Sequence, residues 1–150
     1  MIISYFDDRV KSSDIKKERF DMKKVLLIDD MKTVLAQASR ILQDRYVLSV
    51  CDCAEDAPEL IREDNPDIIL VDMYLESDGA YRLLEFVRND EALKDIPVLF
   101  TGCDVSVMAL SKAFSLGVAD FVKKPFTENI VFKKIEEQLR LSETGYRYDS

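Results

Sequence analysis

Five short apolar runs, each followed by a stretch with helical periodicity, constrain the fold of this chain more than any other feature. The clearest run, residues 68–71, is β-branched at three of its four positions and suits a strand that is buried on both faces. The other runs are residues 25–28, 46–50, 96–100 and 118–122, and we expect 46–50 to be the more exposed strand. Strands that alternate with helices predict βαβ units, and therefore an α/β fold with a parallel sheet and right-handed crossovers.

The helical patterns between these runs begin and end at residues with known capping preferences. Proline at position 58 is tolerated in the first turn of a short helix that Asp56 opens. Gly79 begins the next helix, and Asp104 is the predicted cap of a helix over residues 105–116 that Gly117 terminates in a left-handed conformation. Thr127 is the predicted cap of the last helix.

The two ends of the chain lack a clear apolar period. Residues 1–22 are charged and mixed, so we expect an N-terminal extension that is frayed or weakly helical, with Met22 as an alternative start. Residues 142–150 form a polar tail. The interval 23–141 is therefore the predicted domain.

The composition excludes several classes of function. A net charge of −8 argues against a nucleic-acid surface, which needs clustered lysine and arginine. The chain has no histidine, which excludes serine–histidine triads, histidine-ligated zinc and a phosphohistidine carrier. Its three cysteines suggest free thiols in a reducing, cytoplasmic compartment, and no stretch reaches the ~20 apolar residues that span a bilayer.

Polar side chains follow four of the predicted strands at the same edge of the sheet. They are Asp29 and Asp30, Asp72, Thr101 and Lys124. Carboxylates held close together repel one another, and a hard cation such as Mg²⁺ compensates for that repulsion. With a lysine and a hydroxyl nearby, this set matches an aspartate, Asp72, that attacks phosphorus.

Four blocks of sequence together resemble the receiver domain of two-component response regulators. They are residues 27–30 (Leu-Ile-Asp-Asp), 69–72 (Ile-Leu-Val-Asp), 96–102 (Ile-Pro-Val-Leu-Phe-Thr-Gly) and 117–126 (Gly-Val-Ala-Asp-Phe-Val-Lys-Lys-Pro-Phe). The resemblance covers residues 23–141. It implies a flavodoxin-like, doubly wound fold with five helices and five parallel strands in the order 2-1-3-4-5.

The resemblance also implies a role for each site residue. Asp72 corresponds to the phosphoryl acceptor, and Asp29 and Asp30 to the pair that holds Mg²⁺ together with Asp72. Tyr74 would offer its backbone carbonyl to the metal, and Lys124 would bind the phosphoryl group. Such a domain signals and is not an enzyme with a separate substrate, since its only chemistry is on its own aspartate.

The same resemblance implies a switch and a set of partners. Thr101 and Phe121 occupy the two switch positions, and the fourth helix, fifth strand and fifth helix would form the readout face. The donor would be a sensor histidine kinase or a phosphotransfer protein. The output would be an effector protein, a missing output domain or a phosphorylation-dependent homodimer, with no direct contact to nucleic acid or membrane.

Departures from the family pattern concentrate beside the predicted acceptor. Glu76 stands where the family usually has proline, and Gly79 comes one residue early, so the loop is shorter by one. Phe121 replaces the commoner tyrosine. Tyr74 and Cys103 occupy the positions that would flank the hydrolytic water, and these side chains predict a long-lived phosphoryl group.

Two other functions remain open on the sequence. A degenerate receiver could act only as a binding scaffold, although the acidic set is complete. A Mg²⁺-dependent phosphatase with an aspartyl intermediate would usually carry a second aspartate where Tyr74 stands. A flavin-binding protein of the same topology is disfavoured, because Asp29 and Asp30 would repel the cofactor phosphate.

Overall fold

The computed structural model of the chain describes residues 2–3 and 21–145, and they form one sheet covered by helices. The parallel strands are β1 (Lys24–Ile28), β2 (Val47–Cys51), β3 (Ile68–Asp72), β4 (Val98–Gly102) and β5 (Asp120–Lys123). The helices are α1 (Lys32–Leu42), α2 (Ala57–Asp64), α3 (Gly79–Asn89), α4 (Val107–Ser115) and α5 (Glu128–Glu143), and a 3₁₀ turn covers Glu76–Asp78.

The strands follow the predicted topology. Neighbouring strands pair in parallel, and their spatial order β2-β1-β3-β4-β5 confirms the expected order 2-1-3-4-5. A two-residue strand, Ile2–Ile3, adds to the outer edge of β2 and pairs antiparallel with Leu48 and Ser49. The carboxyl ends of all five parallel strands therefore meet at one edge of the sheet.

Alternate side chains along the strands supply two apolar cores, one on each face of the sheet. On one face, Leu26, Ile69 and Phe100 pack with residues of α2, α3 and α4. On the other face, Leu27 and Leu70 pack with residues of α1 and α5. Because both faces are covered, the central strands are apolar throughout, as the run at 68–71 predicts.

Two local expectations were wrong, and a third was correct only in position. The strand at 46–50 is not exposed, since Leu48 and Val50 are buried in the core shared with α1 and α5. Asp104 does not cap α4, because it adopts a positive φ of 40° while the Ser106 side chain accepts the hydrogen bond from the Ala109 amide. Thr127 does hold the N-cap position of α5, but its side chain makes no capping hydrogen bond.

The expectations for the chain ends fall mostly outside the described residues. Residues 4–20 and 146–150 lie there, so a frayed or weakly helical extension stays a prediction. The pairing of Ile2–Ile3 with β2 was not expected from the sequence. Within the described ranges, no helix combines the length and the apolar character needed to cross a lipid bilayer.

Candidate functional site

Strand register brings the predicted site residues together at the carboxyl edge of the sheet. Asp72 ends β3 and is directly opposite Thr101 of β4. Asp29 follows β1, whose last residue Ile28 is opposite Val71. Lys124 follows β5, and its amide donates to the carbonyl of Gly102 at 2.9 Å. Each side chain is therefore placed by the end of a strand that is fixed through the sheet.

The centre of the site is a buried lysine between two buried carboxylates. The Nζ atom of Lys124 lies 2.6 Å from Oδ2 of Asp29 and 3.4 Å from Oδ1 of Asp72. The remaining oxygen of Asp29 accepts the Met31 amide at 2.9 Å, and Oδ1 of Asp72 accepts the Tyr74 amide at 3.1 Å. These bonds fix both carboxylates, which have little access to water.

Burial raises the pKa of Asp72 above its ordinary value, and the charge of Asp29 adds to the rise, although the Tyr74 amide and Lys124 act against it. Burial alone would lower the pKa of Lys124, but the hydrogen bond and charge of Asp29, helped by Asp72, leave it above its ordinary value. The lysine is therefore cationic at neutral pH. One cation beside two buried carboxylates leaves the site with excess negative charge.

The donor set fits a hard divalent cation. Oxygen atoms from Asp29, Asp30 and Asp72 lie within 4.8 Å of one another, and Asp30 is exposed at the rim of the site. Mg²⁺ is usually held by one or two carboxylates, waters and a phosphate oxygen, which suits an acidic cluster that opens to solvent. The Oγ1 atom of Thr101 also points to a ligand at this site, because it is buried and has no hydrogen-bond partner within the described part of the chain.

Tyr74 lies at the mouth of the site and is 57% exposed. Its ring packs against Gly102, the residue after Thr101. A Cβ added at Gly102 would lie 3.3 Å from Cε2 of Tyr74. Cys103, the other predicted flanking residue, is exposed. The sequence reading missed Gly102, although a glycine directly after the switch hydroxyl was a signal that a neighbouring group approaches closely.

The shortened loop after Asp72 has an unusual backbone. Ser77 and Asp78 both adopt positive φ, 57° and 56°, which is uncommon for residues other than glycine. Gly79 then starts α3, where a Cβ would lie 2.8 Å from Cβ of Ala54. The early glycine is therefore required by close packing against the segment after β2.

Phe121, the second predicted switch residue, is on β5. It lies opposite Phe100 in the register of β4 and β5, and it is partly buried against the core that contains Phe100. Thr101, one residue further along β4, is fully buried. The structure thus places both predicted switch residues on adjacent strands.

Comparison with protein families identifies one domain in the chain. The family model for the response regulator receiver domain matches residues 25–136, which contain every site residue described above. The chain is 28% identical over 116 residues to the chemotaxis protein CheY of Pseudomonas aeruginosa, and the match covers 76% of the chain and 94% of that protein.

Other relatives are longer, and solved structures share the fold. The chain is 25% identical to the sensory transduction protein LytT of Bacillus cereus, but the match covers only 47% of LytT. The structure of a putative response regulator from Chloroflexus aurantiacus superposes with a TM-score of 0.75 at 24% identity, covering 80% of the chain and 99% of that structure. CheY4 of Vibrio cholerae gives a TM-score of 0.72 at 22% identity, covering 78% and 98%.

Proposed function

Because the chain belongs to the response regulator receiver domain family, we propose that Asp72 accepts a phosphoryl group from a phosphohistidine when Mg²⁺ is bound. The observation that carries this proposal is the buried Thr101 hydroxyl, which has no partner and lies opposite Asp72. A phosphoryl oxygen on Asp72 would give this hydroxyl its acceptor. Burial of such a group without a partner otherwise costs about 1–3 kcal/mol.

The proposed reaction uses groups that the chain already positions. An oxygen of Asp72 attacks phosphorus, the bond from phosphorus to the donor imidazole breaks, and the imidazole leaves with the electron pair. Lys124, which contacts both Asp29 and Asp72, would bind the transferred oxygens while it keeps its contact with Asp29. Asp29, Asp30, Asp72 and the Tyr74 carbonyl would hold Mg²⁺, whose contribution is to offset charge on the transferring group.

We propose that the output is read on α4, β5 and α5. Val107 and Met108 of α4 are 82% and 83% exposed, and Phe114 and Leu116 are also exposed. Ala113 is the one buried residue of α4, so this helix has few packing contacts to hold it. A shift of Thr101 toward the phosphoryl group would move Phe121 and bias the position of α4.

The proposed phosphoryl transfer requires a donor protein and a protein that reads the output. The donor is a sensor histidine kinase or a phosphotransfer protein, and the reader is an effector protein, a further domain or a second copy of the chain. The match covers 47% of LytT, which supports a further domain as one form of the reader. Unpaired Cys51, Cys53 and Cys103 support a cytoplasmic setting for this signalling.

The proposal is tested by intact mass after incubation with Mg²⁺ and acetyl phosphate. We expect one added phosphoryl group on the parent and none on Asp72→Asn, while the matched variant Asp52→Asn, an exposed carboxylate outside the site, behaves as the parent. Asp30→Asn should reduce the yield, because it removes a cation ligand. No gain on the parent would refute the acceptor role and favour a binding scaffold.

A further inference from the structure

A groove between α1 and α2 lies at the opposite edge of the sheet from α4 and α5. It has a volume of about 780 Å³ and runs beside β2, the outermost parallel strand. On α1 it extends from Lys32 to Ser39, which is about 10 Å along a helix axis. We call this space the α1–α2 groove; its lining also includes Leu35, Ala36, Val50, Cys51 and Leu60.

The floor of the groove is apolar. Leu35, Val50 and Leu60 supply hydrocarbon surface, and the hydroxyl of Ser39 is occupied because it donates to the Leu35 carbonyl at 2.6 Å. Burial raises the pKa of the Cys51 thiol, to which the carboxylates of Asp56 and Asp52 also contribute, so this sulfur is uncharged at neutral pH. The floor therefore offers a place for apolar side chains.

The rim of the groove is acidic. Asp52, Asp56, Glu59 and Glu63 line it and are exposed, and Lys32 is the one cation among the lining residues that the structure describes. Two acidic residues close to the groove have partners. Glu55 forms an ion pair with Arg82, and Asp64 accepts a hydrogen bond from the Ser49 hydroxyl. Among residues 21–145, none of the four rim carboxylates forms an ion pair with lysine or arginine.

The acidic rim carries charge repulsion that a cationic partner would relieve. Glu59 and Glu63 are four residues apart on α2, so two like charges lie side by side on one helix face. Such a pair destabilises a helix by about 0.2–0.5 kcal/mol. A cationic segment in the groove would remove that repulsion and bury the apolar floor at the same time.

We propose that the α1–α2 groove is a docking site for a helix of a partner protein that carries two apolar side chains one turn apart between lysine or arginine residues. A length of about 10 Å accommodates two turns of such a helix. Since β2 and β5 are the outermost parallel strands on opposite sides of the sheet, this contact leaves the face formed by α4, β5 and α5 free. The partner would hold the chain in place without competing with the proposed readout.

The first test uses a defined probe with the full chain. The probe is a short alanine-rich helical peptide with two leucines four positions apart, flanked by lysines; one control peptide carries glutamate for lysine and another carries serine for leucine. Nuclear magnetic resonance of the labelled chain should show shifts in α1, α2 and the end of β2 with the lysine peptide alone. Binding should weaken as salt is added.

Matched variants locate the contact. Glu59→Lys with Glu63→Lys should weaken binding about tenfold, because two of the four facing charges are reversed. Glu128→Lys with Glu137→Lys reverses two exposed charges of α5 and should leave binding unchanged. Ala36→Trp fills the groove from an exposed position and should abolish binding, whereas Thr33→Trp, also exposed on α1 but outside the lining, should not.

Three results would overturn the proposal. Shifts confined to Asp29, Asp30 and Asp72 would assign the peptide to the other acidic cluster. Equal binding of the serine-substituted peptide would mean that charge alone attracts it and the apolar floor is not used. Unchanged binding to Ala36→Trp would place the peptide outside the α1–α2 groove. None of these outcomes depends on phosphorylation of Asp72.

Discussion

Replacement of Lys124 by methionine should destabilise the protein strongly, because it removes the cation from between two buried carboxylates. The Nζ atom is 2.6 Å from Asp29 and 3.4 Å from Asp72, and the lysine side chain is only 8% exposed. Breaking a buried pair in this way costs about 3–5 kcal/mol, since the remaining charges are left uncompensated. Methionine keeps most of the volume, so the loss reports charge and not packing.

Urea unfolding measures the effect. With a slope of about 2 kcal/mol per molar urea, a loss of about 4 kcal/mol moves the midpoint down by about 2 M. The neighbouring Lys123→Met is the matched control, since Lys123 is exposed and should change stability by no more than about 0.5 kcal/mol.

The contribution of Lys124 to the free energy of unfolding should depend on pH. The pKa of Lys124 is raised in the folded state, so the stability it adds is fully present below its unfolded value and is lost as pH rises through the folded value. At acid pH the carboxylates take up protons, so the difference in free energy of unfolding between Lys124→Met and the parent should become smaller. Mg²⁺ should also stabilise the variant more than the parent. Equal midpoints for Lys124→Met and Lys123→Met at neutral pH would refute the reasoning.

Three further predictions concern the site and its loop. Asp72→Asn should raise the melting temperature at neutral pH. The pKa of Asp72 is raised in the folded state, so its ionised form lowers the free energy of unfolding as pH rises above the pKa of the unfolded chain, and the advantage of the variant should vanish near pH 3. A variant less stable than the parent at neutral pH would contradict this. Gly79→Ala should lose about 1–3 kcal/mol through contact with Ala54, whose own replacement by glycine should restore stability in the double variant, as chemical denaturation would show. Tyr74→Asn should speed loss of the phosphoryl group about tenfold, because it replaces a ring at the mouth of the site with a side chain that can orient water. Intact mass followed over time measures the rate. An unchanged rate would mean that the ring has no role in hydrolysis.

The parts of the fold that the sequence predicts are those in which local pattern and tertiary environment agree. The run at 68–71 is apolar because β3 is covered on both faces, and it ends at Asp72 on the carboxyl edge of the sheet. Gly79 and Gly117 mark real helix boundaries, and Gly117 has the expected positive φ, 101°. The candidate site was predictable for the same reason, since parallel strands bring their carboxyl ends together.

The errors arise where a neighbour in space decides the outcome. The second strand, residues 46–50, was expected to be the more exposed one, yet Ser49 is buried and its hydroxyl donates to the carboxylate of Asp64 on α2. Asp104 has a suitable side chain for a cap, but Ser106 lies directly before α4 and its hydroxyl accepts the hydrogen bond from the Ala109 amide. The α1–α2 groove had no local signal at all, because it depends on the separation of two helices on opposite faces of the sheet.

The central claim, that Asp72 is a phosphoacceptor served by Asp29, Asp30, Thr101 and Lys124, is tested most directly by a crystal structure with Mg²⁺ and beryllium fluoride, which mimics an acyl phosphate. We predict beryllium on one oxygen of Asp72, fluorine atoms against the Thr101 hydroxyl and Lys124, and Mg²⁺ on Asp29, Asp30, the other oxygen of Asp72 and the Tyr74 carbonyl. A cation bound instead at Asp52, Cys53 and Asp56, the other described group able to hold one, with Asp72 unmodified, would contradict the account.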